Sequence, residues 1–150
     1  MMRILSLFVV LIGVVAVILG AVFVGLGASR DAQLKEAMRV EKVTLGIESE
    51  TEGEIIDSLP EALNAGDTIR EHRRGIAPTY SDLLGEGRYD PTNPEQLNYA
   101  QAMNLENYLY LAVVAFGLTQ AVMASGVFMV ITGLALGSAG IVLYRLQKAY

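Results

Sequence analysis

Residues 107–144 read NYLYLAVVAFGLTQAVMASGVFMVITGLALGSAGIVLY, 38 positions without one charged side chain. A second uncharged run, ILSLFVVLIGVVAVILGAVFVGLGAS, fills residues 4–29. A bilayer core about 30 Å thick is crossed by roughly 20 helical residues at about 1.5 Å each, so both runs are long enough to span it. All 16 Asp and Glu fall between Asp31 and Glu106, although the chain as a whole is 53% hydrophobic. A soluble globule does not separate charge from apolar residues in this way. The expected fold class is an all-α membrane protein, an antiparallel two-helix transmembrane hairpin with a long second helix and a mostly irregular or short-helical polar insert. Its parts are a first transmembrane helix at 1–30, an extracytoplasmic insert at 31–92, and a long helix at 93–150 that contains the second span.

The first run exceeds the apolar stretch of about 7–15 residues found in secretory signal peptides and is read as an uncleaved anchor. For orientation, Arg3 precedes the first span, and Arg145 and Lys148 follow the second with no acid nearby. These charges favour cytoplasmic termini. Arg30, Lys35, Arg39 and Lys42 oppose them, but inserts longer than about 60 residues translocate largely regardless of such charges. The stretch between the two uncharged runs, residues 30–106, carries eight basic side chains against 16 acidic ones, a net charge of −8. The expected location is the cell membrane, with two spans, cytoplasmic termini and the insert outside.

Thirty-eight residues suit one long helix or, barely, a tight hairpin turning at residues 124–126. Small residues favour the single helix: Ala112, Thr119, Gly126, Gly133 and Gly140 recur every seven positions and fall on one seam only if the helix is continuous. The first span has the same period in Ser6, Gly13, Gly20 and Gly27. Between helices in lipid there is little hydrophobic drive, so backbones that approach over small residues gain dispersion and weak interhelical bonds. The expected packing residues are therefore Gly13, Gly20 and Gly27 against Gly126, Gly133 and Gly140. Gly133 and Gly137 also form a GxxxG pair suited to a second copy or a partner.

The second helix begins before the membrane. Thr92-Asn93-Pro94-Glu95 has capping-box spacing, and Pro94 suits a first turn because its missing N–H is not needed there. No proline follows, which allows roughly 80 Å of helix to Gln147. If Arg145 marks the inner interface, residues 108–118 protrude as an apolar shaft that the insert, a second copy or another membrane protein must cover. Tyr108, Tyr110, Phe116 and Gln120 are the expected partner contacts, although the aromatic residues also suit an interfacial belt.

Within the insert, Leu34, Ala37, Met38 and Val43 extend the first helix as a stalk. Glu48, Glu50, Glu52 and Glu54 alternate as solvated acid, since the ligand order of a calcium loop is missing. Residues 61–74 read as one or two short helices broken near Gly66. Arg70, Arg73 and Arg74 form a basic cluster that can hold a lipid phosphate or an acidic partner patch, or can pair with nearby acids.

Catalysis finds little support. The chain has no cysteine, which removes disulfides, thiol nucleophiles and thiolate metal sites. His72, the single histidine, lies among arginines that oppose its protonation, and no serine has a recognised nucleophile spacing. No phosphate-binding glycine loop or dinucleotide fingerprint occurs, and a net charge of −5 without a basic stripe argues against nucleic acid. The spans hold no ionisable group of the kind that marks proton or ion paths. No catalytic residue, cofactor or metal is assigned.

At Thr79-Tyr80-Ser81-Asp82-Leu83 and over residues 88–117, RYDPTNPEQLNYAQAMNLENYLYLAVVAFG, the chain resembles small bacterial membrane proteins of unknown function. These have two spans flanking an outward insert, and some are labelled aromatic ring-opening dioxygenases. The resemblance implies the layout. A non-haem iron site takes two histidines and a carboxylate, and one chain here supplies one histidine, so the layout is carried over without the activity. The expected function is a non-enzymatic membrane accessory or structural protein, in contact with lipid and with other membrane subunits or itself. The alternative is an envelope sensor or ligand-binding module that uses the insert.

Overall fold

The computed structural model describes residues 2–41 and 55–149. They form α1 (Met2–Val40), α2 (Leu59–Ile76), α3 (Tyr80–Leu84) and α4 (Pro94–Ala149), with no strand among the described residues. Helices α1 and α4 are both long and apolar enough to cross a membrane. The second apolar run is one uninterrupted helix and does not turn back at residues 124–126. Its serines keep their polarity inside the helix: Ser125 donates to the Ala121 carbonyl and Ser138 to the Leu134 carbonyl, each at 2.8 Å. Such back-bonding removes a hydroxyl from an apolar surface at small cost.

The chain divides into two compact units. One comprises the residues through Ala32 with those from Leu118 onward, and the other is Gln33–Gly117.

In the first unit the two helices run antiparallel with their backbones in contact. A Cβ added at Gly13 would lie 2.7 Å from the Gly133 carbonyl oxygen, and one added at Gly20 would lie 2.5 Å from that of Gly126. At Gly27 it would meet the Thr119 carbonyl oxygen at 3.1 Å, and at Gly140 the Ser6 carbonyl oxygen at 3.1 Å. As one index rises by seven the other falls by seven, so the whole series forms a single seam. Side chains close it from both sides. Val10, Val17 and Val24, themselves seven apart, lie over Gly140, Gly133 and Gly126, while Val130 and Met123 lie over Gly20 and Gly27. The outer surface is aliphatic, with Ile4, Phe8, Leu11, Ile18, Phe128 and Ile131 all exposed. In water such a surface would drive aggregation; against acyl chains it costs nothing.

In the second unit the core is small and crosses three segments. Ala62 and Ala65 of α2 pack with Leu109, Ala112 and Phe116 of α4 and with Ile56, and Leu34 and Met38 of α1 pack against them. The insert read as residues 31–92 therefore does not close on itself, because it holds too few apolar side chains and residues 94–117 of α4 complete its core. Helix α2 is also unbroken at Gly66, contrary to the sequence reading. Gly66 is buried there, and a Cβ would lie 3.3 Å from the Tyr110 ring, so its small size serves close packing. Ser58 caps α2 by accepting the Glu61 N–H at 3.4 Å, and the Glu61 carboxylate accepts the Asp57 N–H at 2.9 Å, which approximates a capping box. Among described residues the insert is thus more helical than irregular. Val43 and the acidic series Glu48 to Glu54 lie outside the described residues.

The cap of α4 is Asn93, one position later than the expected Thr92. The Asn93 side chain accepts the N–H groups of Glu95 at 3.0 Å and Gln96 at 3.4 Å. Thr92 is engaged elsewhere: its N–H and hydroxyl both donate to Asp90, which holds that carboxyl below its ordinary pKa.

Gly20→Leu should lower stability in detergent by about 1–3 kcal/mol or more, because its first side-chain atoms meet backbone that cannot yield. Gly25→Leu should be neutral or slightly stabilising, since nothing lies within 4 Å of a Cβ there and leucine is the better helix former. Unfolding midpoints of the two variants check this, and equal midpoints would contradict the seam.

Candidate functional site

Gly137 behaves differently from the other seam glycines. Its N and Cα lie under Gly13, yet a Cβ of its own would meet nothing within 4 Å. On α4 it stands seven residues beyond Val130 and fourteen beyond Met123, so it leaves open the place those side chains fill. The result is an apolar groove of about 310 Å³ lined by Gly13, Val14, Val17, Gly133, Gly137 and Ser138, among others.

The four expected partner contacts separate into two pairs. Phe116 is 1% exposed in the core of the second unit, and Tyr110 donates its hydroxyl to Asp67 at 2.6 Å. Both are covered by this chain's own α2, which corrects the reading of them as external contacts. Tyr108 remains 69% exposed and Gln120 is exposed. Beside Tyr108 lie Leu111 and Val114, also exposed and turned away from the stripe of the buried Leu109, Ala112 and Phe116.

The basic cluster is also divided. Arg70 pairs with Asp67 at 2.8 Å and sits over the Tyr110 ring at 5.8 Å. Arg73 points the other way. Its Nε donates to Glu106 at 2.6 Å, its Nη1 donates to the Tyr99 hydroxyl, and its guanidinium lies 5.0 Å from the centre of the Tyr99 ring. Glu106 and Tyr99 are both buried, and the hydrogen bond to Glu106 raises the Arg73 pKa further. Arg74 is exposed, and no ion pair or hydrogen bond reaches it among the described residues. It lines a cleft of about 380 Å³ together with Arg73, Thr79, Tyr80, Tyr99 and Asn107. Of the sequence cluster, then, two arginines are structural and one is free.

Glu106 and Tyr99 did not stand out in the sequence. The signal was there: a lone acid entering a long uncharged run must be paired or solvated, and burial on the neighbouring helical face about three turns on, at Phe116, argues for pairing. His72 is exposed, and no group of three or more metal-ligating side chains occurs among the described residues. The chain matches no family model, no curated protein and no solved structure.

Removal of one partner of the Arg73–Glu106 pair should cost about 3–5 kcal/mol, because the other charge stays buried. Glu106→Leu combined with Arg73→Met should cost clearly less than the sum of the two single changes. Thermal unfolding of the four proteins in one detergent, followed by helical circular dichroism, checks the cycle, and simple additivity would refute the coupling.

Proposed function

We propose that this protein is a non-enzymatic integral membrane accessory or structural element that works packed against copies of itself or against other membrane subunits. The aliphatic surface of the first unit supports residence in lipid, and the glycine seam gives two helices a way to associate there. The observation that carries the assembly reading lies in the second unit. Tyr108, Leu111 and Val114 present an exposed apolar face on α4, and the core of the second unit leaves it uncovered. Faces of this kind mark contact sites. The resemblance of residues 79–83 and 88–117 to two-span bacterial membrane proteins, read from the sequence alone, would fit this reading.

In this reading the termini are cytoplasmic and the charged segment between the spans is outside, supported by Arg3 before the first span and by Arg145 and Lys148 after the second. No native cysteine interferes with a topology test. Glu86 is exposed and takes no part in a cap, so Glu86→Cys should react with an impermeant thiol reagent on intact cells; protection until lysis would reverse the orientation.

Purified in mild detergent, the full chain should run as a homo-oligomer or a larger complex, with mass measured by light scattering. Leu111→Glu should shift that mass towards the monomer without loss of helicity. A wild-type monomer across several mild detergents would overturn the assembly reading.

A further inference from the structure

We propose that the cleft between α2, α3 and α4 in the second unit is a binding site for a small organic monoanion, a carboxylate or comparable head carried on a short apolar body. This goes beyond the accessory role and does not depend on it.

The argument begins with the polar inventory of the cleft. Two arginines and one glutamate among the lining residues leave one net positive charge, in a segment whose acids otherwise outnumber its bases by two to one. Arg73 and Glu106 neutralise each other, and their bonds to one another and to Tyr99 fix the floor of the cleft. The uncompensated charge is therefore that of Arg74. Two further polar side chains, Tyr80 on α3 and Asn107 on α4, line the same space, and neither has a hydrogen-bond partner among the described residues. Three elements thus bring a guanidinium, a phenol and a carboxamide to one concavity. A guanidinium donates in a planar fork that matches a carboxylate, and the other two groups can donate to the same head.

The remaining wall sets the rest of the ligand. Tyr80 stands 6.1 Å from Tyr99, ring centre to ring centre, and Pro78 and Met103 complete an apolar side. With Arg73 neutralised by Glu106, the single free guanidinium of Arg74 balances one negative charge and leaves a second uncompensated. A volume of about 380 Å³ lies at the small end of ligand pockets. These features select one negative charge, a compact apolar body and no bulky headgroup.

Butyrate is a suitable probe because it is monoanionic, short and water-soluble enough to remain outside detergent. Saturation-transfer NMR on the full chain in a nonionic detergent should show butyrate bound, with Arg74→Gln weakening its Kd about tenfold or more. Arg88→Gln, an exposed arginine outside the cleft, should leave the Kd unchanged and excludes a general charge effect. Tyr80→Ala should weaken binding through the apolar wall. Butanol should bind far more weakly than butyrate, and inorganic phosphate should fail to compete at equal concentration. No transfer to butyrate, transfer indifferent to Arg74→Gln, equal binding of butanol, or equal competition by phosphate would each overturn the proposal.

Discussion

Close approach of two long apolar helix backbones over small residues is the constraint on which the first unit depends. Lipid tails solvate leucine as well as another helix does, so association must come from contacts that lipid cannot supply. The seam supplies them. At Gly13, Gly20, Gly126 and Gly133 a Cβ would fall within 2.7 Å of a backbone atom of the facing helix, so the missing side chains are what brings the helices together. Weak Cα–H···O contacts become available at such separations. Valine then fills the flanks, and its stiff χ1 means that little rotamer freedom is lost when it is held there. The outward positions are released from any packing demand, so they can be any large aliphatic residue.

The second unit obeys the opposite rules. Its core is a few alanines with Ile56, Leu109 and Phe116, and this gives little burial for a segment of its length. Specific polar contacts compensate in kind. Arg73 joins α2 to α4 through Glu106 and Tyr99, and Asp67 joins them again through the Tyr110 hydroxyl, so two long-range links fix the angle and register of α2. A buried pair of this sort contributes geometry more than net stability, because desolvation of two charges offsets most of their attraction. Placement of Arg73 also has a consequence for its neighbour. With Arg73 turned into the α4 contact, Arg74 is carried round the helix by 100° and cannot share the same acid.

The seam was legible in the sequence because helical geometry converts a seven-residue period directly into a line on a surface. Thr119 and Ser6, which are not glycines, were legible for the same reason. The valine series was less visible, since valine is common throughout both runs and its period is hidden among its own repeats. Local signals misled where two readings compete for one residue type. Thr92-Asn93-Pro94-Glu95 and Ser58-Leu59-Pro60-Glu61 have the same spacing, yet Ser58 caps its helix while Thr92 is captured by Asp90 and yields to Asn93. Nothing within the tetrapeptide shows that capture. Gly66 failed in another way: glycine signals both a break and a close approach, and only the position of Tyr110, 44 residues further on, selects the second. Long-range pairing likewise decided Phe116 and Tyr110, whose cover by α2 depends on contacts that no local window contains.

Gly137 shows how the seam balances two kinds of contact. At Gly20 and Gly27 the facing helix offers backbone and a side chain together, the second being Val130 or Met123. At Gly13 the three nearest atoms are all backbone, two of them from Gly137. Replacing the expected side chain by glycine brings main chain against main chain, but the dispersion that a valine would add is forgone and the apolar groove beside Gly13 opens instead. A valine at 137 would fill open space by its own Cβ, so steric exclusion on that face does not explain the glycine. The exclusion falls on Gly13 alone, whose Cβ would meet the Gly137 backbone N at 2.6 Å and Cα at 2.9 Å, and no contact of Gly137 itself explains the glycine there. All-backbone contact at Gly13 and an open side-chain position at Gly137 therefore coincide at one level of the helix pair.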